Sequence, residues 1–246
     1  MKSPAFKPEL WLVDLDCCAT ALFACETACP RLSADEIERL QSIKAPQTER
    51  LRRAAYIVQR LVLERLFGPD LRQRPLSRDS AGRPHLPSSH TGSISLAHTG
   101  NLALIAATPA SRIGVDLEMP REVRMTTARR NIIESAAASL SPQPLPLDPD
   151  ARFLQAWVRL ESLAKADGRG IGHVLTRIGA VGQPRGSSNT ALLTSAREIA
   201  TVSDLQIYDL DAGPNLYAAV AAQSVTRPPI AHFPAATNDI AIFLRT

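Results

Sequence analysis

Long apolar runs are missing from the sequence, as is a strong excess of charge of one sign. No stretch approaches the ~20 consecutive apolar residues of a membrane-spanning helix, so we expect no membrane partner. The opening residues carry Glu9, Asp14 and Asp16 where a signal peptide needs an apolar core, which predicts a cytoplasmic protein. The net charge is +4 and aromatic residues make up 4% of the chain, which disfavours a nucleic-acid partner.

Cysteine and lysine are scarce as well. The chain has four cysteines in one short stretch, with no second cysteine or histidine pair to complete a zinc site. We therefore expect free thiols, most of them packed against apolar neighbours: Cys17, Cys18, Cys25 and Cys29. Of the 28 basic residues, 24 are arginines, and Lys165 is the only lysine beyond residue 44. Such an isolated lysine needs an explanation.

The 246 residues, 45% of them hydrophobic, are enough for one large globular domain or two fused halves. We predict helices over 34–43, 48–68 and 151–170, and in the second of these, apolar residues at three- and four-residue spacing form a core face. Ser33 and Glu36 form a capping box that predicts the start of the first of these helices.

Alternating apolar and polar residues predict strands. The predicted strands cover residues 11–16, 93–109 with a break at 99–101, 111–118, 174–181, 204–210 and 215–223. Four prolines between residues 139 and 150 block helix and central strand alike and indicate a linker or lid. The proline-rich tail after Thr226 is expected to be irregular.

Parts of the sequence repeat. The helix sequence AYIVQRLVLERLFG is echoed by AWVRLESLAKADG, and the strand NLALIAAT by NLYAAVAAQ, although short apolar matches also arise by chance. The echoes predict an α+β fold of two similar halves related by a pseudo-twofold axis, each a small, mostly antiparallel sheet packed on a long helix. We divide the chain into an N-terminal half (1–111), a C-terminal half (112–226) and a tail (227–246). A ligand is expected between the halves.

Acidic side chains that lie on one face of a predicted strand or helix are the first candidates for a functional site. In the strand IGVDLE, Asp116 and Glu118 point to the same face and repel each other, unless a cation or solvent separates them as on a surface strand. Glu161 and Lys165 share a helix face four residues apart, either as a simple surface ion pair or as part of a site. Together the three carboxylates supply the hard oxygen ligands that suit Mg²⁺ bound with a substrate phosphate.

Basic residues of the first half fit the same chemistry. Phosphoryl transfer needs a metal and cations to neutralise phosphates, and a base to position the nucleophile. A polyanion site could draw its cations from Arg52, Arg53, Arg60, Arg83 and His98. Taken singly, Arg52, Arg53 and Arg60 are each equally well explained as solvated surface residues.

Four segments point to a family. AGRPHLP, SLAHTG, IGVDLE and AWVRLESLAKADGRGI resemble, in order and spacing, the signature blocks of the 4′-phosphopantetheinyl transferases of the long, two-half, surfactin-synthetase-activating type. The resemblance implies transfer of the 4′-phosphopantetheine group from coenzyme A to a serine of an apo acyl or peptidyl carrier protein. It also implies Mg²⁺ as the cofactor and adenosine 3′,5′-bisphosphate as the product.

The resemblance also assigns roles to the acidic and phosphate-contacting residues. Asp116 and Glu118 match the first two metal-binding carboxylates, and Glu161 matches the helix glutamate that binds metal and is a candidate general base. Lys165 matches the lysine that contacts the coenzyme A phosphates, and His98 matches the histidine that touches the pyrophosphate.

The remaining family matches lie in the N-terminal half, which would hold the phosphate and adenine side of coenzyme A. Gly82, Arg83 and Pro84 match the block near the 3′-phosphate. Either Arg52 or Arg53 would be the arginine of the first-half helix on the adenine and phosphate side, and the register between them is open.

Two positions depart from the family pattern. Many relatives have a lysine immediately before the helix glutamate, whereas this chain has Leu160, and Arg159 could replace the missing charge. Ala97 stands where a serine precedes the histidine, which removes one hydroxyl donor to phosphate. These departures leave open an alternative, a catalytically weak relative that only binds coenzyme A.

Overall fold

Two small sheets lie back to back between two long helices in the structure, which is a computed structural model. The structure describes residues 8–79, 82–109, 112–182, 195–223 and 226–245. The predicted α+β class is confirmed. Within the described residues, no helix combines the length and apolar character needed to cross a membrane.

The first sheet has three strands from before residue 109 and a fourth from the tail of the chain. Its helices are α1 (Leu15–Ala28), α2 (Ala34–Gln41) and α3 (Pro46–Phe67), followed by a short 3-10 helix (Pro69–Leu71). The strands are β1 (Glu9–Asp14), β2 (Ser77–Arg78), β3 (Pro84–His85), β4 (Ser93–Thr99) and β5 (Leu102–Thr108). β5 lies between β4 and β1 and is antiparallel to both, while β2 and β3 form a separate pair.

The second sheet follows with its own helices. The helices are α4 (Thr127–Ala138), α5 (Pro149–Asp167), α6 (Ile171–Arg177) and α7 (Ala196–Val202). The strands are β6 (Ile113–Glu118), β7 (Gln206–Asp209) and β8 (Tyr217–Ala222), with β8 in the middle and antiparallel to both neighbours. Residues 139–148 form neither helix nor strand, as predicted, but the last two residues of the predicted irregular segment, Pro149 and Asp150, begin helix α5, because proline fits the first turn of a helix.

Alternation along the strands explains the layers. In β1 and β5, side chains such as Val13 and Ile105 pack against α3, whereas Leu12 and Leu104 face the second sheet. Val115 of β6 belongs to the cluster between the sheets, and its backbone N–H donates to Ser95 Oγ of β4 at 3.0 Å. The two sheets therefore meet where β4 and β6 lie side by side.

Both halves use the same order of main elements. Each runs strand, long helix, strand, strand: β1, α3, β4, β5 in the first and β6, α5, β7, β8 in the second. In each sheet the last of these strands lies in the middle. The pseudo-twofold axis and the division into domains stay predictions, and the proposed boundary at residue 111 lies outside the described residues.

Three expectations about elements were wrong. The predicted strand over 174–181 begins as helix α6, because an apolar run of this length fits either structure. The predicted strand over 11–16 ends at Asp14, whose carboxylate caps the unpredicted helix α1 by accepting the N–H of Cys17 at 3.0 Å. The tail is not irregular, since it forms β9 (Ile230–His232), parallel to β1, and α8 (Thr237–Phe243).

The cysteines lie in α1 and at its end. All four are free thiols, as expected, but only Cys18 is buried. Cys17 is exposed, and Cys25 and Cys29 are half-buried. The expectation that most of them are packed in the core was wrong, because a helix on the surface of the sheet buries one side only.

Candidate active site

Gly114 lets strand β6 lie directly against helix α5. A Cβ at this position would lie 2.2 Å from the backbone oxygen of Ser162 and 2.5 Å from the backbone nitrogen of Ala166. No side chain fits in that space, so the packing requires the glycine of IGVDLE. The close approach brings Asp116, two residues along β6, beside Lys165 of α5.

Asp116 and Lys165 form a partly buried ion pair. Lys165 Nζ donates to Asp116 Oδ1 at 2.8 Å and to the backbone oxygen of Val115 at 3.1 Å. Asp116 is only 7% exposed, so the alternative of a carboxylate on a solvated surface strand is wrong for this residue. The ion pair of Lys165 joins α5 to β6 and is not a surface pair along the helix.

The other two carboxylates differ in their surroundings. Glu161 Oε2 is buried, and no hydrogen-bond partner for it lies among the described residues. Glu118 is half-buried, and its Oε1 accepts a hydrogen bond from Arg121 Nη2 at 3.2 Å. Glu161 is therefore the carboxylate with an unsatisfied acceptor.

Electrostatics link the three carboxylates. Burial raises the pKa of Asp116 to about 6 against the opposing effect of Lys165, and the charges of Glu161 and Glu118 add to the rise. Burial also raises the pKa of Glu161, again against Lys165 and with help from Glu118. Ionising all three side chains together costs free energy that a bound cation would offset.

Donor chemistry makes Mg²⁺ a suitable ion for this cluster. Within the described ranges, no group of three or more histidine, cysteine, aspartate or glutamate side chains is arranged to hold a metal ion. Mg²⁺ commonly binds through one or two carboxylates, several waters and substrate phosphates, and so does not need a complete set of protein ligands. The buried, unpartnered oxygen of Glu161 fits this requirement, and the metal role of Asp116, Glu118 and Glu161 stays a prediction.

A cleft of about 280 Å³ lies beside the cluster, and both halves contribute to its walls. Its charged lining residues are Arg52, Arg78, Arg83, Glu161 and Lys165. Gly82 and Pro84 line it as well. Four cations against one carboxylate make it a site for an anion with several charges.

Arg83 ties the first half to the end of helix α5. Its Nη1 donates to the backbone oxygen of Ala166 at 3.2 Å. Gly168, at φ +86°, ends the helix, and a Cβ there would lie 3.2 Å from the same Nη1. The glycine therefore leaves room for the guanidinium.

His98 lines a second cleft of about 330 Å³, which shares Arg52 with the first. Desolvation by neighbouring atoms lowers the pKa of His98, and the positive charges of Arg52 and Lys165 lower it further. The lowered pKa favours the uncharged imidazole, which can both donate and accept a hydrogen bond.

The structure distinguishes the two arginines of the first-half helix. Arg52 lines both clefts, whereas Arg53 Nη2 pairs with Glu49 Oε1 at 2.5 Å, one turn earlier on α3. Because neighbouring residues on a helix point about 100° apart, only one of the two can face the cleft. Arg52 is the better candidate for the phosphate contact.

Two other arginines play structural roles. Arg60 is 2% exposed and binds Glu36 at 2.9 Å, so its expected place among the cations of the site was wrong. Arg159 is fully buried and binds Asp209 at 2.5 Å, so it does not replace a lysine of the cleft. Both side chains point into the protein interior.

Both departures from the family pattern are buried residues. Leu160 is fully buried in the core beneath α5. Ala97 is buried between the two sheets, while His98 points to the opposite face of β4. Ser95, two residues before Ala97 on the same face of β4, lines the cationic cleft, so the loss of a phosphate contact at position 97 stays a prediction.

Some lining residues had escaped notice in the sequence. Tyr56 and Gln59 follow Arg52 by four and seven residues on α3 and line the same cleft. Helical spacing from Arg52 would have found both. Arg78 and Ser95 line it too: Ser95 is the first residue of the SLAHTG segment, whereas Arg78 lies outside the four segments that point to the family.

Comparison with known proteins gives a distant similarity. No family model matches the chain. The chain is 26% identical over 179 residues to a Synechocystis sp. protein named "Putative 4′-phosphopantetheinyl transferase". The aligned region covers 70% of this chain and 69% of that protein. The similarity supports the general family of the 4′-phosphopantetheinyl transferases, without separating the long two-half type from other members.

Proposed function

We propose that the chain transfers the 4′-phosphopantetheine group of coenzyme A to a serine of an apo acyl or peptidyl carrier protein, as a member of the long two-half type. One observation carries the proposal: a cationic cleft lined by both halves lies beside three interacting carboxylates. Coenzyme A carries a pyrophosphate and a 3′-phosphate, the kind of polyanion such a cleft suits. The product would be adenosine 3′,5′-bisphosphate.

The residues of the cationic cleft and of the second cleft divide the work. Arg52, Lys165 and the uncharged His98 would bind the pyrophosphate, and Arg83 with Pro84 would lie near the 3′-phosphate. Glu161, whose pKa burial raises, is suited to take the proton of the serine hydroxyl, directly or through a water. Lys165 would stabilise the negative charge on the phosphates as the bond to the departing nucleotide breaks.

The carboxylates would hold the cofactor. Asp116, Glu118 and Glu161 would bind Mg²⁺, which when bound neutralises charge on the phosphates. Without a bound metal, Lys165 donates a hydrogen bond to Asp116, and this ion pair keeps the carboxylate in position.

The experiment is incubation with coenzyme A, Mg²⁺ and a panel of apo carrier proteins, followed by mass spectrometry of the carriers. We expect one carrier to gain a single phosphopantetheine group at its serine, more slowly at high ionic strength, because the chain carries a net charge of +4 and carriers present acidic surfaces. If no carrier gains mass while coenzyme A still binds in calorimetry, the chain is the weak relative that only binds coenzyme A.

A further inference from the structure

A third cleft, of about 420 Å³, opens on the far side of Arg83. It shares Arg83, Pro84 and Gly168 with the cationic cleft already described. Its other charged or titratable lining residues are Asp79, His85, Arg112, Asp167 and Arg169. The two clefts therefore form one continuous surface with Arg83 at the junction.

The carboxylates of the third cleft already have partners. Asp79 accepts the backbone N–H of Arg83 at 3.0 Å, and its Oδ2 lies 3.1 Å from His85 Nε2. Asp167 accepts from Arg169 Nε at 2.5 Å and from Ser203 Oγ at 2.7 Å. These pairs satisfy the acidic side chains within the protein.

Arg112 stands apart from these pairs. It is half-buried directly before β6, and within the ranges that the structure describes it forms no hydrogen bond or ion pair. The Nε of Arg83, also in this cleft, is buried and has no hydrogen-bond partner among the described residues. Two guanidinium groups thus have unused donors in one cleft.

Their charges act on each other. Burial lowers the pKa of Arg83, and the positive charge of Arg112 lowers it further, while Asp79 and Asp167 oppose this. Burial alone would raise the pKa of Asp167, but the hydrogen bonds of Arg169 and Ser203 and the charge of Arg112 bring it below its usual range. Like charges kept this close are relieved by an anion between them.

We propose that Arg112 is a specificity-determining residue, which binds a phosphomonoester in this cleft together with Arg83. A guanidinium pair offers parallel N–H donors that match the oxygens of a phosphate dianion. The inference rests on the proposed function, in which this phosphomonoester is the 3′-phosphate of coenzyme A. Arg112 then makes the chain select coenzyme A over dephospho-coenzyme A.

The test is calorimetric titration of the full chain with coenzyme A and with dephospho-coenzyme A, which lacks the 3′-phosphate. Arg112→Gln should bind coenzyme A about tenfold more weakly than wild type, because a hydrogen bond to a charged group is lost. The variant should bind dephospho-coenzyme A as well as wild type does. Arg112→Lys should restore part of the affinity. Arg124→Gln, which removes the same charge from an exposed side chain, is the matched control and should change neither affinity.

Each other result has a clear meaning. Equal weakening for both ligands, or none for either, would overturn the role of Arg112, as would a wild type that does not distinguish the ligands. Selective weakening combined with no transfer to any carrier would support Arg112 and refute the proposed transferase activity. A circular dichroism melt of each variant shows that the fold is kept.

Discussion

Asp116 is a residue at which burial and charge act against each other. The side chain is 7% exposed, and Lys165 is the cation that bonds to it. Because ionising a buried carboxylate costs free energy, its pKa stays raised at about 6 despite that ion pair. A residue kept at such a cost beside a cationic cleft is typical of a functional site.

In metal-free solution this carboxylate should make the protein less stable as the pH rises. An unperturbed aspartate, as in the unfolded chain, has a pKa of 3.8, whereas Asp116 in the fold has a pKa of about 6. Between these two pH values the native state therefore holds a proton that the unfolded chain has lost. The free energy of unfolding should therefore fall by up to about 3 kcal/mol from about pH 4 to about pH 6, relative to Asp116→Asn.

Urea unfolding of both proteins at a series of pH values, with EDTA present, measures this difference. Parallel profiles for wild type and Asp116→Asn would contradict the prediction. Added Mg²⁺ near neutral pH should raise the thermal midpoint of wild type more than that of the variant, since it offsets the charge.

Glu161 should be needed for activity and dispensable for folding. Glu161→Gln keeps the shape of the side chain but removes a buried charge with an unpartnered oxygen, so the melting temperature should stay the same or rise. The rate of transfer should fall by about 100-fold or more, because the candidate base and metal ligand is lost. Carrier mass against time measures the rate.

Glu122→Gln is the matched control, since Glu122 is an exposed partner of Arg124 on the surface. A wild-type rate for Glu161→Gln would refute the role of this carboxylate.

Helix α5 serves two purposes at once. One face presents Glu161 and Lys165 to the cleft, and the other buries Arg159 and Leu160 in the core of the second half. A lysine in place of Leu160 would have to bury its charge in that core. The residue before the helix glutamate is thus set by packing in this chain.

The contact between β6 and α5 predicts a large effect from one methyl group. Gly114→Ala places a Cβ 2.2 Å from Ser162 O, so the strand must move away from the helix, and we expect a loss of about 2 to 3 kcal/mol in unfolding free energy. Gly172→Ala is the control, because nothing lies within 4 Å of a Cβ there and α6 favours alanine. Urea unfolding of Gly114→Ala and Gly172→Ala measures the difference. Equal free energies of unfolding for the two variants would contradict the packing argument.

The long elements were predictable because their patterns are long. Apolar periodicity placed α3 and α5, and alternation placed β6 with its two carboxylates. The short helix α6 was not predictable, since a few apolar residues fit helix and strand equally well. Helix α1 has 14 residues but was missed because its small and apolar residues show no clear amphipathic pattern. The direction of a side chain was the other limit: sequence alone could not tell that Arg52 faces the cleft while Arg60 is buried with Glu36.

At the scale of the molecule, the last helix belongs to the first sheet. Phe243 of α8 is 6% exposed, and its ring lies 5.0 Å from the rings of both Trp11 and Phe233. The guanidinium of Arg65 lies 4.8 Å from the same ring. A domain division that leaves the tail aside therefore separates residues that share one core.

Phe243→Ala should destabilise the protein by about 3 kcal/mol or more, because it leaves a cavity in this aromatic cluster. Ile242→Ala, a neighbouring residue that is 59% exposed, should cost far less. Chemical denaturation of the two variants measures the difference. Similar losses for both would mean that α8 contributes little to the core.

The pairing of β9 with β1 has a consequence for the protein during its synthesis. Ile230 pairs with Leu10, about 220 residues earlier in the chain. At about 5 to 20 residues per second, a ribosome needs roughly 10 to 40 seconds to make the intervening chain. Until then the edge of β1 has unpaired backbone groups and Trp11 lacks the cover of Phe243, so the nascent first half exposes a strand edge that other chains can pair with.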